Sequence, residues 1–356
     1  MGRIRLSVCI PTYNFGEFIG DTLESIVTQA TDEVEIIVVD GASTDNTEQV
    51  VDQIKKRFPR LTYHRREKNL GVDRDLAKAV ELAQGDYCWL MSSDDVLKPG
   101  AIARILHELK LGHDIYLCNR TECDRTLRPV KDGSWLGRVF HDQVFTLSKQ
   151  SEWVAYLNAS QSLGALFSYI SSIIVSRKKW NEIMYDDVFT GTNYAHVFRL
   201  FSILNTGGVL KYIKAALVFC RRSNDSFSNK GPWHRMLIDL NGYELLAKKL
   251  FTDTDLRAAF KRVMQRQHVW FLLAGLRYDI NDIKLWSELE AKLIAFDYPY
   301  TTLKMAKVIG SSKVIIKSAR CLKKIEREIR MFMRMPSSSP RVEALRSAPV
   351  GSAGPG

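Results

Sequence analysis

From its start the chain alternates short β-branched runs with longer stretches whose apolar positions recur at helical spacing. In order these are "RLSVCI", "FIGDTLESIVTQ", "VEIIVVD", "NTEQVVDQIKKRF", "LTYHRR", "DLAKAVELAQ" and "DYCWLM". Strands alternating with helices predict an α/β fold built on a mostly parallel sheet. In such sheets ligands bind in the crevice beyond the carboxyl ends of the strands. The loop Pro11-Thr12-Tyr13-Asn14, Asp40 and the pair Asp94–Asp95 all stand at predicted strand ends.

After Asp114 the pattern is less regular, with strands predicted at "DIYLCN", "YISSIIVS" and "ALVFCRR" and a helix at "NYAHVFRLFSIL". From Trp233 it is nearly all helical, through "LIDLNGYELLAKKLF", "LRAAFKRVMQRQHVWFLLAGLRY" and "KLWSELEAKLIAF". The expected division is an α/β domain over 1–230 and a helical region over 231–335. The tail 336–356, rich in Ser, Pro, Gly and Ala, is expected to be disordered.

Composition sharpens this picture. With 356 residues, 46% of them hydrophobic, a sizeable core is within reach. The net charge is +11, but residues 301–356 hold twelve Lys/Arg against three Asp/Glu, so most of the excess sits at one end. That argues against a nucleic-acid groove through the body and for a tail meeting an anionic membrane surface. Cys9, Cys88, Cys118, Cys123, Cys220 and Cys321 lack the paired spacing of a zinc site and read as reduced core residues. The longest apolar stretch, "LGALFSYISSIIV", falls short of the roughly 20 residues a spanning helix needs. The expectation is a cytoplasmic protein that does not cross the bilayer.

Adjacent acids repel, so Asp94–Asp95 suits one of two settings. Either the pair caps a turn or helix, or it is neutralised by a cation or a donor-rich ligand. The residues alone leave both open. The block "SVCIPTYNFGEFIGDTLESIVTQ", "EIIVVDGASTDNTEQVV" and "NLGVDRDLAKAVELAQGDYCWLMSSDDVLKPGAI" resembles, in order and spacing, the nucleotide-sugar domain of glycosyltransferase family 2. The resemblance is strong over the first third of the chain and implies a GT-A fold.

It also implies roles. Asp95 would ligate a divalent ion, Mg²⁺ or Mn²⁺, bridging the two phosphates of a nucleotide-diphosphate sugar, with Asp94 facing the ribose or sugar. Many relatives carry Asp where this chain has Ser92, which leaves fewer carboxylates for the ion. Pro11, Thr12, Tyr13 and Asn14 would wall the nucleotide base, and Asp40 would accept from base or ribose. Gly41 stands where the family often has a second acid. Ser43, Thr44 and Asp45 suit capping of the following helix. In "NLGVDRDLAKAV", with Asn69, Gly71, Arg74 and Asp75, Arg74 would approach a phosphate. Arg222 would bind phosphate, and His234 offers a further metal ligand.

Inverting family members use a carboxylate, usually in a Glu-Asp pair opening a helix, to deprotonate the acceptor. Here Thr192 and Asn193 stand in its place. Asp186, Asp187 and His196 are the nearby candidates, and a retaining reaction would also account for the gap. The segments "VVDGASTDNT", "SSDD" and "GTNYAH" most resemble the abequosyltransferase group, which implies a CDP-dideoxyhexose donor and a lipid-linked, mannose-containing acceptor in O-antigen assembly. "KVIIKSARCLKKIEREIRMFMR" (Lys313 to Arg334) has an amphipathic pattern suited to peripheral attachment at the cytoplasmic face of the inner membrane. The rival readings are an inactive sugar-nucleotide or lipid-binding scaffold and a sugar nucleotidylyltransferase. The latter should show a Gly-rich phosphate loop that "PTYNFGEF" lacks.

Overall fold

The computed structural model describes residues 3–137, 139, 141–222, 232–251, 253–280, 282–319 and 321. The alternation expected from the sequence opens the chain. It runs β1 (Leu6–Thr12), α1 (Gly16–Val27), β2 (Val34–Asp40), α2 (Thr47–Lys55), β3 (Leu61–Arg65), α3 (Val72–Leu82) and β4 (Tyr87–Leu90). A two-residue β5 (Val96–Leu97) and α4 (Ala101–Glu108) follow. Next come β6 (Ile115–Cys123), β7 (Pro129–Gly133), β8 (Gln143–Phe145), α5 (Gln150–Ala159), β9 (Ile173–Ser176), α6 (Arg177–Glu182), α7 (Ala195–Asn205) and the long β10 (Leu210–Arg221). The remainder is helical: α8 (Pro232–Leu250), α9 (Thr254–Gln267), α10 (Trp270–Asp279), α11 (Ile283–Ala295) and α12 (Tyr300–Gly310). A further helical stretch begins over 313–319.

One sheet organises these elements, in the order β3-β2-β1-β4-β9-β6-β10-β5, with β7 added beside β6 and β8 beside β10. Pairing is parallel from β3 through β4 and between β6 and β10, while β9 runs antiparallel to both of its neighbours. Every residue of β1 and β2 is buried, as expected of central strands covered on both faces. Period-two alternation sends Leu6, Val8 and Ile10 toward α1, α2 and α4. Cys9 belongs to the opposite layer, with α3, α5 and α7. Cys88, Cys118 and Cys123 are buried as well, whereas Cys220 is half-buried and Cys321, expected in the core, is exposed.

The sequence expectation of one helix through "LRAAFKRVMQRQHVWFLLAGLRY" is corrected at His268–Val269, where the backbone turns extended and α9 gives way to α10. The buried His268 ring lies 3.3 Å from the Tyr298 hydroxyl, so the break is held by side-chain packing that periodicity does not record. The strand expected over "YISSIIVS" begins only at Ile173, because Ile170–Ser172 forms a tight 3₁₀ turn.

The division drawn near residue 230 falls among residues outside the described set. Beyond it, Leu240, Tyr243, Phe260, Met264, Leu273, Leu289 and Leu303 join the same core cluster as Cys9, Val39 and Leu90. Most of the helix expected from Lys313 to Arg334 lies outside the described residues.

Candidate active site

The acids beyond β4 are held from two sides. β5, immediately after them, pairs with Val218 and Phe219 near the end of β10, and the 3₁₀ turn before β9 presents Ser171 from below. Asp95 is 2% exposed. One of its oxygens accepts from the Tyr169 hydroxyl at 2.7 Å and the Ser171 hydroxyl at 2.5 Å, and the other accepts from the Arg221 backbone N–H at 3.1 Å. Burial first, and then the charge of Asp94, push its carboxyl up to about 8. Asp94 is more exposed and accepts from the Ser92 hydroxyl. Ser92 thus orients its neighbour instead of supplying a third carboxylate.

Arg221, at the end of β10, is the clamp of this corner. Its guanidinium, 4% exposed, donates to the backbone carbonyls of Asp94 at 3.0 Å and Arg125 at 2.6 Å and to the Asp21 carboxylate at 2.8 Å. It also lies 4.9 Å from the centre of the Phe18 ring. Arg222, the next residue, is held differently. Its side chain is 59% exposed and pairs with Glu122 at 2.9 Å.

The loops after β1 and β2 are laced together. Asn14 adopts a left-handed backbone, φ 57°; its N–H donates to the Ser43 hydroxyl at 2.8 Å and its side-chain oxygen accepts from Thr44 N–H at 2.7 Å. Asp45 accepts from the Gly16 N–H at 2.9 Å and from Thr47. Pro11 and Thr12 are buried at the end of β1, and Tyr13 stands exposed beyond them. The Thr12 hydroxyl is buried with no hydrogen-bond partner among the described residues. Asp40 is fully buried and accepts from Ser43 N–H at 2.8 Å and the Tyr63 hydroxyl at 2.6 Å.

A cavity of about 480 Å³ opens over the acids. Asp94, Asp95 and Arg222 line it together with Asp73 and His196, and Arg235 and Gln267 of the C-terminal helices line it too. His196 is buried with Nε2 2.9 Å from the Phe167 carbonyl oxygen, and burial lowers its imidazole to about 4, so the ring is neutral. Nε2–H then donates to that carbonyl, leaving Nδ1 as the only basic position. Asp186 and Asp187 are not part of this wall. Asp187 pairs with Arg74 at 2.6 Å on the surface; Asp186 caps the turn that follows it and is held below the usual carboxylate range by Lys249. Arg74 also lies over the Tyr185 ring at 5.0 Å. His234 is half-buried beside Trp233.

Sequence reasoning passed over Asp73. It sits in the first turn of α3, where an acid reads simply as complementing the helix dipole. In space its carboxylate accepts from Asn193 N–H at 2.9 Å and Ala195 N–H at 3.2 Å, at the start of α7. Asp75, two residues on, bonds Arg66 at 3.0 Å and fills the space beside Gly41, where an added Cβ would stand 2.8 Å from its oxygen.

The donor set fits a hard divalent cation. Asp94 and Asp95 supply carboxylate oxygens, and the raised proton affinity of Asp95 marks a buried charge that a cation would relieve. Among the described residues no cluster of three or more His, Cys, Asp or Glu surrounds them. Any ion there would complete its shell with phosphate and water oxygens.

Residues 7–161 match the model of glycosyl transferase family 2. The chain is 39% identical over 299 residues, 81% of its length and 89% of the relative's, to the abequosyltransferase RfbV of Salmonella typhimurium. Its fold is similar to that of S. aureus TarS 1-349 in complex with UDP (TM-score 0.59, 16% identity, 89% of this chain and 91% of that one). It is also similar to that of the mannosyltransferase PcManGT from Pyrobaculum calidifontis in complex with GDP-Man and Mn²⁺ (TM-score 0.52, 17% identity, 87% of each chain). With a mixed sheet that carries the paired acids beyond β4, and a relative aligned over most of its length, the chain belongs to glycosyltransferase family 2 and has a GT-A fold.

Proposed function

We propose that this glycosyltransferase moves a dideoxyhexose from a CDP-sugar to a lipid-linked, mannose-containing saccharide in O-antigen assembly. The observation that carries the reading is the 39% identity to an abequosyltransferase across 81% of the chain. The interlaced loops after β1 and β2 receive the base and ribose, and the cavity over Asp94 and Asp95 receives the diphosphate and sugar. Asp95, supported by Asp94, would hold Mg²⁺ or Mn²⁺. When bound, that ion supplies charge neutralisation for the departing nucleoside diphosphate. Arg222, at the cavity rim, is placed to exchange Glu122 for a phosphate. The expected result of a thermal-shift panel is a rise of several degrees with CDP plus Mn²⁺, smaller rises with UDP or GDP plus Mn²⁺, and little with CDP in EDTA. An equal response to all three nucleotides would remove the cytidine assignment.

The acceptor is carried by a lipid, and the C-terminal surface suits an anionic bilayer. Tyr300, Val308, Val314 and Ile315 are exposed there, and between Tyr300 and Ile325 the chain carries Lys304, Lys307, Lys313, Lys317, Arg320, Lys323 and Lys324 without one acid. Basic residues near such a surface contribute about 1 kcal/mol each. Among the described residues no helix is long and apolar enough to cross a membrane. Replacing Lys304, Lys307, Lys313 and Lys317 by Glu is expected to release the protein from phosphatidylserine vesicles in co-sedimentation while sparing transfer to a soluble acceptor. Unchanged sedimentation would end the attachment reading.

A further inference from the structure

Thr192 and Asn193 leave the opening of α7 without an acid of its own, yet a carboxylate stands there. Asp73 reaches it from α3, and Asn193 N–H and Ala195 N–H donate to its two oxygens at 2.9 and 3.2 Å. It lies on the wall of the same cavity as Asp94 and Asp95. We propose that Asp73 is the proton acceptor for the incoming hydroxyl, an acid relocated from the helix that lacks it to a neighbouring one.

The arrangement suits the task. Backbone N–H groups of Gly191, Thr192, Asn193 and Ala195 bear on the carboxylate and fix it at the cavity wall, where taking up the proton of a substrate hydroxyl means exchanging one of these donors for it. Burial raises the proton affinity of Asp73, whereas it lowers that of His196 on the same wall. The same turn of α3 makes a second relocation, since Asp75 fills the space beside Gly41.

In the step that follows, a lone pair of the acceptor oxygen forms a bond to the anomeric carbon of the sugar. The bond from that carbon to the phosphate oxygen breaks, and its electron pair leaves with the nucleoside diphosphate. The hydroxyl proton passes to a carboxylate oxygen of Asp73 and then to solvent. Attack from the face opposite the leaving group inverts the anomeric configuration.

The proposal rests on the transferase reading, and the test separates the two. The full-length protein is assayed with bacterial membranes as acceptor and with CDP-, UDP- and GDP-sugars as donors, and the variants are then read on whichever donor the wild type turns over. A wild-type preference for UDP- or GDP-sugar overturns the cytidine reading and leaves the Asp73 comparison intact. Asp73→Asn should lower kcat by about a hundredfold or more, within the usual reach of a general base, with donor KM within about threefold. Because an amide turns one N–H toward the donating backbone, Asp73→Ala is measured as well, with its melting temperature. Formate should restore its kcat at least about threefold without accelerating the wild type. Near-wild-type kcat in Asp73→Asn, absence of formate rescue in a folded Asp73→Ala, or a product of retained configuration by NMR would each overturn the role. A wild type silent on all three donors would overturn the transferase reading and this role together.

Discussion

Asp95→Asn is expected to abolish sugar transfer and, in the same sample, to make the ligand-free protein harder to melt at pH 8. The loss of activity, on the order of a thousandfold or about 4 kcal/mol of barrier, follows on the proposed reading from removing a charge that would hold the cation. The gain in stability follows from the same burial. The Asp95 carboxyl is raised from 3.8 to about 8 in the folded chain. Between those values the folded state binds more protons than the unfolded one, so stability falls as pH rises through that window and levels off above it. An amide has no such charge to bury. Its oxygen keeps the Arg221 N–H, and the Tyr169 and Ser171 hydroxyls can turn to accept from its NH₂. The difference in melting temperature should be near zero at pH 4 and reach several degrees at pH 8. Mn²⁺ should stabilise the wild type at pH 8 and leave the variant unmoved. An Asp95→Asn protein with wild-type turnover, or one whose advantage in melting does not grow with pH, would sink this account.

Arg221→Ala should be the most destabilising single change at the site without removing a ligand. The guanidinium joins the end of β10 to the Asp94 carbonyl, the Arg125 carbonyl and Asp21, and its removal takes these donors from two partly buried carbonyls and the counter-charge from an exposed carboxylate. Leaving a carbonyl in such a corner without its donor typically costs about 1–3 kcal/mol, so the two together lower the melting temperature of a chain of this size by roughly 3–8 °C. Because the Asp94–Asp95 turn loses its brace, nucleotide-dependent stabilisation by Mn²⁺ should fall with it. Arg221→Lys should recover little, since one ammonium cannot reach three separated acceptors. Calorimetry with and without CDP and Mn²⁺ measures both effects, and a melting temperature within about 1 °C of wild type would show that the clamp is dispensable.

The central strands were legible in the sequence because burial on both faces writes itself as an unbroken apolar run. The strand-end loops were legible because α/β topology fixes where such loops must meet. β5, β7 and β8 were not, being short additions at the margins of the sheet with too few residues to show a period. α12 was hidden by the threonines and the glycine in "YTTLKMAKVIG", which blur its buried positions Leu303, Ala306 and Gly310. Among the candidate acids, Asp186 and Asp187 stood close to Thr192 along the chain but turn to Lys249 and Arg74. Asp73 stood far along the chain and arrives in space. Proximity in sequence can suggest a substitute within one element, but an acid supplied by another helix leaves no local signature. The partners of Asp40 were equally hidden, since Tyr63 and Ser43 meet it only through the pairing of β2 with β3 and the turn that follows β2.

The helices after residue 231 line the cavity through Arg235 and Gln267 and bury their apolar faces in the layer that carries α3 and α7. Specificity in this chain is therefore not modular. An attempt to change its donor by exchanging residues 1–230 for those of another family member would set a foreign α7 against C-terminal helices it was not built to pack on and misalign the part of the cavity that Arg235 and Gln267 line. If the loops after β1 and β2 take the donor as proposed, redesign works by grafting those loops onto an intact chain.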